Sequence, residues 1–309
     1  MTALRRATGL ALLLTYALIV LGAWVRATAS GLACPDWPTC YGHWVPLPGE
    51  IPPEAGYAYY QVMLEWVHRL LAGVILGPLV LVIGWLAWRA RRHNPRMPAY
   101  GAALVLLLLV QGGLGGVTVL DQNSPWSVAL HLSTALLVLS VLCLIFARTG
   151  PAPERPAGRA GPLSLAVWLL ALGAMASAAM TTKSGAALAC STWPLCDGAL
   201  IPDLSDPLIR LNFTHRLLAL GVGLGALALY LASRARPDLR PLAMLVLVLT
   251  LAEIALGALV VVWLVPLVTA ILHQALGVLV FGAVALLMAR ANAPVADQQA
   301  IHARSLSRA

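Results

Sequence analysis

A chain of 309 residues that is 60% hydrophobic and only 10% charged, with a mean hydropathy of +0.85, is too apolar for a soluble domain, where about a quarter of residues are charged. It buries its apolar surface in membrane lipid, so the sequence describes a multi-pass membrane protein. The net charge of +8 does not signal nucleic-acid binding: all but Lys183 of the twenty Lys and Arg are arginine, and most stand in short connections between apolar runs, as topology determinants do.

In chain order, eight runs reach the roughly 20 residues that cross a bilayer. They lie near 7–25, 60–88, 98–120, 126–147, 163–182, 207–233, 241–262 and 266–289. Ala27-Thr28-Ala29 after the first resembles a signal-peptidase site. That run is too long for a signal sequence, however, and Arg26 intervenes, so it is expected to remain a span. Fifteen Lys and Arg fall at the N-terminus, in 89–97, 148–162 and 234–240, and in the tail. Five remain on the other side: Arg26, Lys183, Arg210 and, just inside their helices, Arg69 and Arg216. This bias predicts an all-α integral membrane fold with eight transmembrane helices, both termini inside.

The loops 26–58 and 183–206 are therefore expected outside. Each carries a Cys-x5-Cys pair, Cys34/Cys40 and Cys190/Cys196. On an oxidising face these read as two local disulfides. Zinc is the alternative, for which the loops add only His43 as a nitrogen ligand. Spacing does not distinguish a structural bond from an exchanging one. Cys143, alone in the fourth span, reads as a packing residue.

The matching loops belong to a longer repeat. Leu32-Ala33-Cys34 and Trp37-Pro38 recur as Leu188-Ala189-Cys190 and Trp193-Pro194. His68-Arg69-Leu70-Leu71-Ala72 recurs as His215-Arg216-Leu217-Leu218-Ala219, and His131 recurs as His273. The expected organisation is two tandem four-helix bundles, 1–148 and 163–290, related by a pseudo-twofold along the membrane normal. A Pro/Gly/Arg-rich linker, 149–162, joins them, and 291–309 forms an inner tail.

His43, His93 and His302 fall in loops or the tail. His68, His131, His215 and His273 fall about two turns inside alternate spans, at one depth. A lone histidine in a bundle is more often a hydrogen-bonded core residue, but four in matched pairs suit two six-coordinate haems. The simplest pairing is His68 with His131 and His215 with His273. A di-metal centre would want several carboxylates, and a proton relay does not require matched pairs. Arg69 and Arg216 are placed either to hold haem propionates or to snorkel to the interface. Glu65 shares a helical face with His68 and reads as a base or a charge stabiliser, or as the salt-bridge partner of Arg69 or of an outer-loop group. Asn212 replaces it in the second half. The amino-terminal half is thus expected to do chemistry and the other to hold a resident cofactor. Glu253, equivalent to Gln111, is a second intramembrane acid without an evident partner.

At these residues the chain resembles the haem A synthases, which convert haem O to haem A for terminal oxidases. The resemblance rests on Ser30-Gly31-Leu32-Ala33-Cys34-Pro35-Asp36-Trp37-Pro38-Thr39-Cys40-Tyr41-Gly42, on Glu65-x-x-His68-Arg69, on the histidines at 131, 215 and 273, and on eight spans in two repeats. It implies an oxidoreductase of the bacterial cytoplasmic membrane that oxidises a ring methyl to a formyl group. Substrate haem O would lie between His68 and His131, and a haem B between His215 and His273. Glu65 matches the essential acid, and Cys34–Cys40 a loop disulfide associated with activity. Cys190–Cys196 is not a constant family feature. Delivery of substrate by a haem O synthase, a thiol–disulfide exchange partner, an electron acceptor and a homo-oligomer are all compatible with the resemblance. A quinol-linked di-haem electron-transfer protein and an outer-face thiol–disulfide carrier are the competing readings.

Overall fold

The computed structural model describes residues 1–151, 153 and 158–295. Residues 152 and 154–157 of the linker and the tail from 296, with Arg155, His302, Arg304 and Arg308, lie outside the described residues. Among those described, the fold is all helical, with no strand beyond two isolated bridges. Eight helices among the described residues are long and apolar enough to cross a membrane.

The elements are α1 (Thr2–Ala27), α2 (Tyr59–Leu70), α3 (Gly77–Arg89), α4 (Met97–Leu120), α5 (Pro125–Arg148), α6 (Ala160–Lys183), α7 (Pro207–Ala232), α8 (Arg240–Val262) and α9 (Leu267–Ala291). Proline in the first turn, where no amide partner is lost, opens several of them. Ser124 caps α5 by accepting from the Ser127 amide, and Asp206 caps α7 by accepting from the Leu208 amide at 2.7 Å. The second span is one continuous run, Tyr59–Arg92, in which α2 and α3 join through a π-helical segment, Leu71–Leu76. Pro78 follows, and its ring collides with the carbonyl four residues back in a regular helix. A wide turn ahead of it relieves that collision. In α7 the corresponding residue is Gly225, and the helix is unbroken.

Two helix starts differ by three residues or more from the sequence reading. Helix α1 begins at Thr2 rather than near 7, because Arg5 is accommodated: it stacks 3.9 Å from the Phe146 ring and donates to the Phe146 carbonyl. Helix α6 begins at Ala160, so the last residues of the expected linker are helical.

In the first half α1 packs on α3 and α5, and α4 lies between α3 and α5. In the second, α6 packs on α7 and α9, and α8 lies between α7 and α9. The halves meet along α1, α5, α6 and α9. The seam is apolar, with Phe281, Leu136, Leu139 and Val284 fully or almost fully buried. Two polar contacts cross it: the Trp168 indole donates to Ser140 Oγ at 3.0 Å, and Arg26 donates to Gln274 Oε1 at 2.9 Å. Leucines such as Leu13 and Leu109 stand exposed on the outer faces, where a spanning helix meets hydrocarbon. The buried Cys143 thiol approaches the Gly282 carbonyl across the seam, so it is a packing residue.

Candidate functional site

Two cysteine loops sit over the ends of α2 and α7. Cys34 is bonded to Cys40 and Cys190 to Cys196. After each second cysteine the chain turns through two left-handed residues, Tyr41-Gly42 and Asp197-Gly198, a conformation for which glycine carries no Cβ penalty. An aspartate then closes each ring, from opposite sides. Asp36 accepts from Thr39 Oγ1 and from the Tyr41 and Gly42 amides. Asp197 accepts from the amide and hydroxyl of Ser191. Partial burial pushes the Asp36 carboxyl up, but these hydrogen bonds outweigh it and hold the group below its usual range. Asp197 is also held low, chiefly by Ser191.

An arginine from the helix below grips each loop. Arg69 Nη1 donates to the carbonyls of Asp36 (2.6 Å) and Thr39 (2.7 Å), and Nη2 to that of Cys34 (3.0 Å). Arg216 meets the three corresponding carbonyls, Thr192 (2.8 Å), Leu195 (3.2 Å) and Cys190 (2.7 Å). This differs from the expectation of propionate holders. All four Nη hydrogens of Arg69 are engaged, the fourth by Glu65 Oε1 at 2.6 Å. A planar fork five donors wide matches a turn of converging carbonyls, a partner that only the folded loop reveals.

Glu65 and Asn212, both buried, complete the two clamps in opposite senses. Glu65 Oε2 accepts from the Cys34 amide at 2.9 Å. Asn212 Nδ2 donates to the carbonyls of Ala186 and Ala187, while its Oδ1 accepts from Arg216 Nε. The carboxylate thus anchors the disulfide loop directly, through the amide of a bonded cysteine. A carboxylate has about four acceptor positions, and two are taken here.

Beneath the loops lie the histidines. His68 and His131 are close enough to interact electrostatically, as are His215 and His273. Glycines make room for three of the rings. A Cβ on Gly22 would stand 3.3 Å from His68 Cε1, on Gly115 3.3 Å from His131 Cε1, and on Gly257 3.0 Å from His273 Cε1. The loop residue Trp37 rests on α4 at Gly116, beside Gly115, where a Cβ would come within 3.2 Å of the indole.

The two pairs differ in which ring nitrogen is engaged. In the second half Nδ1 has the neighbour: His215 Nδ1 lies 3.1 Å from the Ala174 carbonyl and 3.1 Å from Ser177 Oγ. His273 Nδ1 lies 2.9 Å from Glu253 Oε1, although off the line of its N–H. In the first half, Nδ1 of both His68 and His131 is buried without a partner, and His131 Nε2 meets Gln111 Nε2 at 3.2 Å. Paired imidazoles with ring nitrogens left unpartnered, packed against glycines, are a donor set that fits an axially ligated macrocycle. Among the described residues, no three His, Cys, Asp or Glu side chains gather to hold a metal ion, so a di-metal centre has no ligand set here.

Sequence reasoning did not anticipate Gly22, Gly115, Gly257, Ser177, Ala174 or Trp37, nor Gln111 and Glu253 as neighbours of the histidines. One signal was present: Gln111-x3-Gly115 and Glu253-x3-Gly257 stand at the same distance ahead of His131 and His273.

The family described as cytochrome oxidase assembly protein (COX15-CtaA) matches residues 5–285. Relatives named heme A synthase include one from Symbiobacterium thermophilum, 33% identical over 287 residues, covering 88% of this chain and 90% of the relative. A second, from Shewanella oneidensis, is 33% identical over 207 residues, covering 63% of this chain and 61% of the relative. A third, from Methylobacterium nodulans, is 30% identical over 313 residues, covering 87% and 86%.

Proposed function

The chain belongs to this family of membrane-spanning oxidase assembly proteins, and from that premise we propose that it is a haem A synthase. It oxidises a ring methyl of haem O to the formyl group of haem A. Two hydroxylations each remove two electrons from the methyl carbon, passed to an external electron acceptor, and add one oxygen, and loss of water from the resulting diol leaves the aldehyde.

The observation that carries the division of labour is the difference in engaged nitrogens. An imidazole that donates Nδ1–H to a carbonyl or carboxylate keeps the Nε2 lone pair for iron, the arrangement of a lasting ligand. His215 has it, through the Ala174 carbonyl, and His273 has a carboxylate within 2.9 Å of Nδ1 to supply it, so we assign the resident haem B to them. When bound there, that haem supplies one-electron redox chemistry. His68 and His131 lack it, and His131 Nε2, which would hold the iron, is instead met by Gln111. That is the arrangement of a site whose occupant arrives as haem O and leaves as haem A.

Glu65 stands one turn from His68 and retains acceptor capacity beyond Cys34 and Arg69, so it can take a proton at the substrate edge while still holding the loop. The Cys34–Cys40 loop lies over that edge, with Trp37 resting on α4 at Gly116. The cysteine loops are assigned to the outer face by the arginine bias. The two halves are read as tandem bundles in one orientation, the first catalytic and the second holding the cofactor.

The test is production of haem A in a host that makes haem O and lacks its own synthase, with haem extracted from the purified protein and identified by mass. The wild type should yield haems B, O and A. Glu65→Ala should retain haem B and haem O and make no haem A. Haem B alone from the wild type, reducible by quinol, would instead favour a di-haem electron-transfer protein.

A further inference from the structure

Glu253 is an acid in the middle of a transmembrane helix, where a charge is costly and marks function. Among the described residues no arginine or lysine pairs with it. It faces His273, with Oε1 2.9 Å from Nδ1, at hydrogen-bonding distance but off the line of the ring N–H. A modest turn about the last side-chain torsion, which is soft for histidine, brings the two into line. The place is built for the carboxylate. Gly277, one turn beyond His273, leaves the space it occupies, since a Cβ there would stand 2.8 Å from Glu253 Oε1. Gln111 occupies the same register in the first half, twenty residues before His131. It brings a neutral amide, and to the other ring nitrogen.

We propose that Glu253 is a positioning residue for the second-half haem, its carboxylate drawing on His273 Nδ1–H and so strengthening this imidazole as an iron ligand, while Gln111 gives His131 no such support. The inference rests on the assignment of a resident haem to His215 and His273. A carboxylate behind an axial histidine raises the ligand's basicity and favours ferric iron. The resident haem is thereby made the readier electron donor of the two. The substrate site keeps a histidine that can be released.

The experiment is a spectroscopic redox titration of the purified, haem-loaded protein. Glu253→Gln should shift the ferric–ferrous equilibrium of the second-half haem about tenfold toward ferrous, a midpoint about 59 mV more positive for a one-electron couple. The low-spin, bis-histidine spectrum should be retained. Gly277→Ala keeps the charge but displaces it, and should move the midpoint in the same direction. Gln111→Glu should lower the midpoint of the first-half haem. If Glu253→Gln does not retain haem, Glu253→Asp and Gly277→Ala decide the question. An unmoved midpoint in haem-loaded variants would overturn the proposal and leave the haem B assignment standing. A wild-type protein without haem B would overturn both.

Discussion

At the scale of single residues, the two arginine clamps explain why a guanidinium follows each of the first histidines. A hydrogen bond to a charged group is worth roughly 1.5–3 kcal/mol, and a stranded buried acceptor costs as much. Arg69→Ala leaves three loop carbonyls and Glu65 without their donor, so it should destabilise the protein by about 3 kcal/mol or more. Arg69→Lys restores a point charge but not the fork and should recover less than half of that. Thermal unfolding in detergent separates the two; equal stability of Lys and wild type would show that charge alone matters. The aspartates give the loops a pH dependence whose sign follows from their lowered carboxyls. Their contribution is complete above the ordinary aspartate range and is lost as pH falls below it. Exchange of the Tyr41, Gly42 and Ser191 amides, corrected for intrinsic rate, should accelerate only below that range, and Asp36→Asn should bring the acceleration at Tyr41 and Gly42 to neutral pH.

At the scale of elements, histidine on one helix is matched to glycine on its neighbour: α1 offers Gly22 to His68, α4 offers Gly115 to His131, and α8 offers Gly257 to His273. Filling such a place in a close-packed interior costs roughly 1–3 kcal/mol and moves the ring. Gly257→Val should therefore lower haem B per chain severalfold while the helical content stays unchanged. Gly115→Val should spare haem B and reduce haem O retention. Equal loss of both haems from either variant would mean a general packing defect. The π-helical segment Leu71–Leu76 lies immediately after His68-Arg69 and has no counterpart in α7, so the two first histidines stand on helices of different backbone.

At the scale of the whole molecule, the seam of α1, α5, α6 and α9 joins halves whose polar traffic is concentrated at their ends. Arg26 reaches Gln274 near one end, while Arg148 reaches the Ala289 and Asn292 carbonyls near the other. The orientation across the membrane is open to a direct measurement. Single cysteines at Trp44 and Leu200 should react with an impermeant thiol reagent from the outer face, and cysteines at His93 and Arg234 should react only after permeabilisation. The reverse pattern would invert the topology and place the disulfides on the reducing side.

The sequence alone determined the quantities that depend on composition and local spacing. Eight apolar runs of bilayer length, an arginine bias, two Cys-x5-Cys pairs and histidines on alternate spans are all legible because hydrophobicity, charge and periodicity are properties of contiguous residues. Asparagine in place of Glu65 was equally legible, because the repeated motif lays the two residues side by side. What only the tertiary structure decided is which groups meet. In sequence, Arg69 and Arg216 read as propionate holders or snorkelling residues, with Glu65 as an ion-pair partner of Arg69. That ion pair forms, but the other partners are carbonyls some thirty and twenty-five residues earlier, aligned only once the loops have folded. Glu253 had no visible partner, because His273 lies on the next helix, and a helix's rotation about its axis is fixed by packing against neighbours rather than by its own sequence. The same reason hid Gly22, Gly115 and Gly257: the absence of a side chain becomes a feature only when another helix places a ring against it.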